Sequence, residues 1–192
     1  MRHVERNEVL GLADYEAIRD RFRARVIDEK KRRRIPLGPR ATVIFENRDT
    51  VRFQVQEMLR VERIVQPDRV QHELDVYNEL LPGPGEVAAT LFIEITEQAR
   101  IQEILDGFIG LDEPGRLSLA VGDRRYPALF APGQSREDRI SAVHYIRFAL
   151  GDDGRRALSE GREAALEVAQ GDYRARQVLS RETVEELVRD LG

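Results

Sequence analysis

The Pro-Gly-Pro-Gly loop at residues 82–85 restricts the fold of this chain more than any other feature, because proline and glycine interrupt regular structure. Before the loop, apolar residues mostly recur at the three- and four-residue steps of helices. After it, short alternating runs are separated by tight-turn residues, as in strands joined by hairpins. No linker-like stretch surrounds the loop, so we expect the 192 residues to form one domain.

The part of the chain at about 14–80 is predicted to be largely helical. Residues 15–26 carry one apolar stripe at helical spacing, and a short β-branched strand is expected at 41–45. Residues 49–56 alternate like a strand but also continue a helical stripe. We favour a helix over about 49–64, because its residues are good helix formers.

The sheet-rich part is expected at about 86–179, followed by a C-terminal helix at about 181–191. Two hairpins are predicted, with turns at Gly122-Asp123 and Gly171-Asp172. Strands joined by hairpins pair antiparallel. The sequence therefore predicts an α+β fold with a largely antiparallel sheet and helices packed on one face.

Cysteine is absent, which excludes disulfides, thiol nucleophiles and cysteine-ligated iron–sulfur clusters. The charged N-terminus predicts no signal peptide, and no window approaches the roughly 18 apolar residues of a membrane helix. We therefore expect a cytoplasmic protein. Of the three histidines, His3 is expected in a mobile tail, so a three-histidine zinc site is not expected.

Four residues are candidates for a divalent metal site: Glu57, Glu62, Glu94 and His144. His144 lies on the more apolar face of a predicted strand, Glu62 continues the apolar stripe of a predicted helix, and Glu94 ends a strand. Carboxylates with one imidazole suit a hard or borderline metal. The structural alternative is a histidine bonded to a neighbouring backbone group and carboxylates paired with arginine. We favour that alternative, so the metal, like any other cofactor, stays a hypothesis.

Basic residues are concentrated near the N-terminus, where residues 1–40 carry a net charge of +5 and the remainder −9. Such a segment can contact phosphates or an acidic partner, although no aromatic residues interleave as in many nucleic-acid binders. We favour the explanation that these basic residues are a solvated helix end, where positive charge suits the negative end of the helix dipole. The candidate partner or anion contacts are Lys30, Lys31, Arg32, Arg33, Arg34, Arg60 and Arg147.

Seven segments together resemble a bacterial family of uncharacterised proteins, known as a domain of unknown function. They are LGP (37–39), FENRDT (45–50), QVQEMLR (54–60), ERI (62–64), ELDVYN (73–78), ATL (89–91) and SAVHYIRF (141–148). The resemblance extends from about residue 8 to the end. It implies an association with rubrerythrin-like proteins and with iron–sulfur proteins similar to heterodisulfide reductase subunits.

The leading hypothesis is therefore a non-catalytic accessory protein in an oxidative-stress or redox context. A metal-dependent enzyme or metal-binding protein is the second hypothesis, and anionic-ligand or nucleic-acid binding through residues 30–40 is the third. Whether the chain catalyses a reaction is left open. A homodimer is expected only because dimers are common.

Overall fold

The computed structural model describes residues 1–136 and 139–192 and confirms the α+β class. The helices are α1 (Leu12–Arg33), α2 (Arg48–Val61), α3 (Pro67–Asn78), α4 (Ile101–Asp106), α5 (Gly151–Ser159) and α6 (Arg181–Leu191). The strands are β1 (Arg34–Pro36), β2 (Ala41–Glu46), β3 (Glu86–Ile93), β4 (Leu117–Val121), β5 (Arg124–Pro127), β6 (Leu129–Phe130), β7 (Ser135–Arg136), β8 (Arg139–Ile140), β9 (Val143–Ala149), β10 (Ala164–Gln170) and β11 (Tyr173–Val178).

The ambiguous segment at 49–56 is helical and belongs to α2. Asn47 caps this helix: its side chain accepts from the backbone N–H of Thr50 at 3.0 Å, and the Thr50 hydroxyl accepts from the N–H of Asn47 at 2.9 Å. This reciprocal capping satisfies backbone donors that a helix start leaves unpaired. The apolar stripe of α2 is buried, as its spacing predicts.

The strands form two main antiparallel sheets and a short ribbon. One sheet has the order β1-β2-β3-β9-β6, the second has the order β11-β10-β4-β5, and β7 pairs with β8. Both predicted hairpins, β4–β5 and β10–β11, are confirmed. A single buried cluster contains residues of both sheets, so the two sheets share one core.

Helices α1 to α3 lie over the face of the five-stranded sheet that is turned away from the core it shares with the four-stranded sheet. Their apolar residues form two further buried clusters, one within α1 and one between α2 and α3. The first residues of the chain pack onto this layer, contrary to the expected mobile tail. The backbone N–H and C=O of Val4 pair with the side chain of Asn78 at 2.8 and 3.0 Å.

None of the helices in the described part of the chain combines the length and apolarity needed to cross a membrane.

Candidate functional site

A cavity of about 640 Å³ lies between the α2–α3 layer and the five-stranded sheet. Its volume falls within the roughly 300–1,000 Å³ of sites for small molecules. The helical wall consists of Met58, Glu73, Val76, Tyr77, Glu79 and Leu80. The sheet wall and rim consist of Glu46, Ala89, Tyr145, Ile146, Arg147 and residues 129–132.

Large apolar side chains are exposed among the lining residues. Leu129 on the sheet side is 52% exposed and Val76 on the helical side is 46% exposed. Single exposed apolar residues are common on protein surfaces. Here two of them lie on opposite walls of one cavity, where an apolar ligand group would cover both.

Glu46, the last residue of β2, brings a buried carboxylate to the cavity. Its side chain accepts hydrogen bonds from Thr90 at 2.6 Å, Thr50 at 2.5 Å and Gln54 at 3.3 Å. The residue is only 4% exposed. Helix α2 begins two residues later, and the partial positive charge at its N-terminus stabilises the nearby carboxylate.

Strand register places Arg147 on the same face of the sheet as Glu46. Glu46 is paired with Ala88 of β3, and Ala88 is paired with Arg147 of β9. Arg147 donates to the backbone carbonyl of Glu79 and lies 3.7 Å from the Glu86 carboxylate. The structure thus fixes Arg147, one of the candidate partner or anion contacts, at the cavity wall.

Two tyrosines line the cavity from its two walls. Tyr77 comes from α3, while Tyr145 comes from the face of β9 that carries Arg147. Burial raises the pKa of Tyr77 above its ordinary value, and the proximity of Tyr145 and Glu73 adds to the shift. The Tyr77 phenol is therefore protonated at neutral pH and can donate a hydrogen bond.

The four metal candidates are not brought together. Glu57 accepts from Tyr15 and Arg19 of α1, whereas Glu94 lies 3.6 Å from Arg34 at the other end of that helix. Glu62 is exposed, because α2 ends at Val61. Across residues 1–136 and 139–192, no three histidine, aspartate or glutamate side chains are grouped as metal ligands.

His144 is completely buried, as the alternation of its strand predicts. Its Nε2–H donates to the carbonyl of Ser141 at 2.8 Å, and its ring packs edge-on against Phe130. Nδ1 has no hydrogen-bond partner among the described residues. Burial lowers the pKa of His144, so the imidazole is neutral. This environment matches the structural alternative.

The basic run at the end of α1 is largely engaged in ion pairs. Arg33 is 1% exposed and binds Asp190 and Glu186 of α6 at 2.6 and 2.8 Å. Its neighbours form further pairs: Lys31 with Asp28, Arg32 with Glu186, and Arg34 with Glu94. Elsewhere, Arg60 lies 3.5 Å from Glu57. Lys30 is half-buried in the same turn as Arg33.

Comparison with known proteins gives a family but no activity. A family model described as "Protein of unknown function (DUF3501)" matches residues 3–191. A crystal structure of a novel protein of unknown function from Burkholderia pseudomallei K96243 is similar, with a TM-score of 0.92 and 31% sequence identity over 100% of both chains. None of the curated proteins searched matches the chain.

Proposed function

Because this chain belongs to the DUF3501 family of proteins of unknown function, we propose a function from its own geometry: it binds a small organic molecule between α2–α3 and the five-stranded sheet. The single observation that carries this proposal is the cavity of about 640 Å³ with apolar side chains exposed on both of its walls. Burial of those side chains by a ligand would contribute favourable free energy at about 25 cal/mol per Å² of apolar surface.

The polar groups in the cavity suit binding and orientation. Glu46 offers acceptor oxygens, the Tyr77 phenol offers a donor, and Arg147 offers a guanidinium fixed by a backbone carbonyl. A few placed polar groups in an apolar cavity are the usual composition of ligand sites. The raised pKa of Tyr77 favours a role in binding over a role as a general base, since a base would need a pKa nearer neutrality.

Ligand-observed NMR with a mixture of neutral, cationic and anionic fragments tests the proposal. Val76→Trp places a large ring at the cavity wall and should weaken the binding of the fragments that the wild type retains. Val65→Trp is the matched control, because Val65 is 61% exposed but does not line the cavity. Fragments that bind all three proteins equally, or no binding to the wild type, would contradict the proposal.

A non-catalytic accessory role in a redox context stays a proposal that rests on the family resemblance. A protein without cysteine has no ligands for a cysteine-bound cluster, so such a cluster in this partnership would belong to the partner. Cytoplasmic location and a rubrerythrin-like or iron–sulfur partner are parts of the same proposal. Co-purification of such a partner at low salt, with release at high salt, would support it.

The cavity is a stronger basis for function than either alternative. Stoichiometric metal in tag-free protein, lost in a folded His144→Ala variant, would favour the metal alternative. Binding of a nucleic acid with a steep salt dependence, lost when residues 30–34 are neutralised, would favour the third hypothesis.

A further inference from the structure

Glu46 has no cationic partner among the described residues. Its ligands are two hydroxyls and one amide, all of them neutral. A buried carboxylate is normally paired with a cation or bound to a metal, because an isolated buried charge is costly. Arg33 and the carboxylates around it show the paired arrangement elsewhere in this chain. Glu46 lacks such a pairing among the described residues, and it lies at the wall of a cavity.

The Glu46 carboxylate has acceptor capacity left. An ionised carboxyl group offers about four lone-pair positions, and three are occupied here. Oε2 accepts from Thr50 and Gln54, whereas Oε1 accepts only from Thr90. An additional donor can therefore bind Oε1 without displacing a hydrogen bond that supports α2.

The small side chain of Ala88 lies beside Glu46 in the cross-strand row. Ala88 lies between Glu46 and Arg147, which is two strands away. The usual spacing of strands puts the backbones of Glu46 and Arg147 roughly 10 Å apart. Arg147 is already bound to the Glu79 carbonyl and lies near Glu86. Arg147 is therefore engaged with other groups and forms no ion pair with Glu46.

The charges that line the cavity favour a cation. Three glutamates, Glu46, Glu73 and Glu79, line it together with a single arginine, Arg147. Tyr77 and Tyr145 add aromatic rings, whose faces attract an ammonium group. An anionic ligand would meet this excess of negative charge.

We infer that the cavity selects a protonated amine carried on an apolar body, with the Glu46 carboxylate as the acceptor for the ammonium group. The inference rests on the proposed function and specifies its ligand class. The ammonium donates to Oε1 of Glu46, and the apolar body lies against the exposed side chains of Val76 and Leu129. The hydrogen bond to a charged group makes the amine preferred over a neutral isostere by about tenfold or more.

Three probes with the same phenylethyl body test the inference by calorimetry at neutral pH: 2-phenylethylamine, 2-phenylethanol and 3-phenylpropionate. The wild type should bind the amine about tenfold more tightly than the alcohol, and the carboxylate most weakly. Glu46→Gln keeps the size of the side chain and removes its charge; the amide oxygen can still accept from Thr50 and Gln54, while the NH2 group can donate to the Thr90 hydroxyl. The variant should remove the preference for the amine while leaving the affinity for the alcohol within about twofold.

Glu62→Gln is the matched control, because it removes an exposed carboxylate outside the cavity and should not alter the preference. The wild-type comparison stands by itself if Glu46→Gln does not fold. Equal binding of amine and alcohol, or a preference that survives in folded Glu46→Gln, overturns the inference. If no probe binds but other fragments do, the ammonium class is wrong and the proposed function stands; if nothing binds, both are wrong.

Discussion

The hydroxyl of Tyr15 in α1 donates a hydrogen bond of 2.7 Å to the carboxylate of Glu57 in α2, and Arg19 binds the same carboxylate through two nitrogens at 2.8 Å. One carboxylate therefore joins two helices through three hydrogen bonds. All three bonds are charge-assisted, and the two from Arg19 have the parallel geometry that makes arginine–carboxylate pairs strong. Glu57 is thus a structural link in the helical layer that covers the sheet.

This link makes stability depend on acidity. The hydrogen bond from Arg19 is the main cause that lowers the pKa of Glu57 from an ordinary 4.5 to about 2, against the opposing effect of burial. A carboxylate whose pKa is lower in the folded state stabilises the fold above pH 4.5, and this contribution is lost as the pH falls towards 2. Urea denaturation of the wild type and Glu57→Gln should show free energies of unfolding that converge over this range. A constant difference would contradict the assignment.

Arg33 provides a prediction about a buried cation. Glu186, Asp190 and Glu29 surround its guanidinium at 2.8, 2.6 and 3.5 Å. Arg33→Met leaves three carboxylates without their shared cation, and we expect a loss of about 3–5 kcal/mol in the free energy of unfolding. Lys31→Met removes an exposed cation of the same helix end and should cost about 1 kcal/mol or less. Similar losses in the two variants would refute the special role of Arg33.

His144 predicts a different dependence on pH. Because burial lowers its pKa below the ordinary 6.5, the unfolded chain takes up a proton more readily than the folded one. Wild-type stability should therefore fall as the pH drops below 6.5, by at most about 1.4 kcal/mol per pH unit from this group. His144→Phe should flatten this part of the curve in chemical denaturation. His72→Phe, at an exposed position of α3, controls for loss of an imidazole.

Gly85 makes a close approach that an alanine would disturb. Its φ is +71°, and an added Cβ would lie 3.2 Å from the Cα of Gly151. Gly133 also has a positive φ, of +86°, but faces open space. Gly133→Ala should cost about 1–2 kcal/mol for the left-handed conformation alone. Gly85→Ala should cost at least about 1 kcal/mol more, as measured by thermal unfolding. Equal costs would show that the loop relaxes around the added methyl group.

Local signals explain why much of the fold was predictable. The Asn47–Thr50 cap and the buried stripe after it lie within one segment, so α2 is recognisable despite its alternating residues. Helix α2 ends at Val61, earlier than the predicted 64. Arg63 just after it adopts a left-handed φ of 52°, a conformation that glycine or asparagine usually marks in a sequence and arginine does not. For that reason Glu62 is exposed and not part of the stripe.

The cavity was not predictable in the same way. The burial of Glu46 depends on Thr90, which follows 44 residues later, and on the pairing of β2 with β3. Nothing in the sequence fixes that register. The one available signal is a carboxylate at the end of a largely apolar strand, directly before the residue that caps α2. His144 was easier to interpret, since alternation along β9 alone places it on the buried face.

The two sheets are interleaved along the chain, because β4 and β5 lie between β3 and β9, which are neighbours in the other sheet. A backbone cut at Gly133 would leave β9 of the second fragment between β3 and β6 of the first, and would leave β10 beside β4. The two fragments, expressed separately, should therefore complement each other and elute as one species. The core that the two sheets share draws residues from both fragments, whereas the two helical clusters lie wholly in the first.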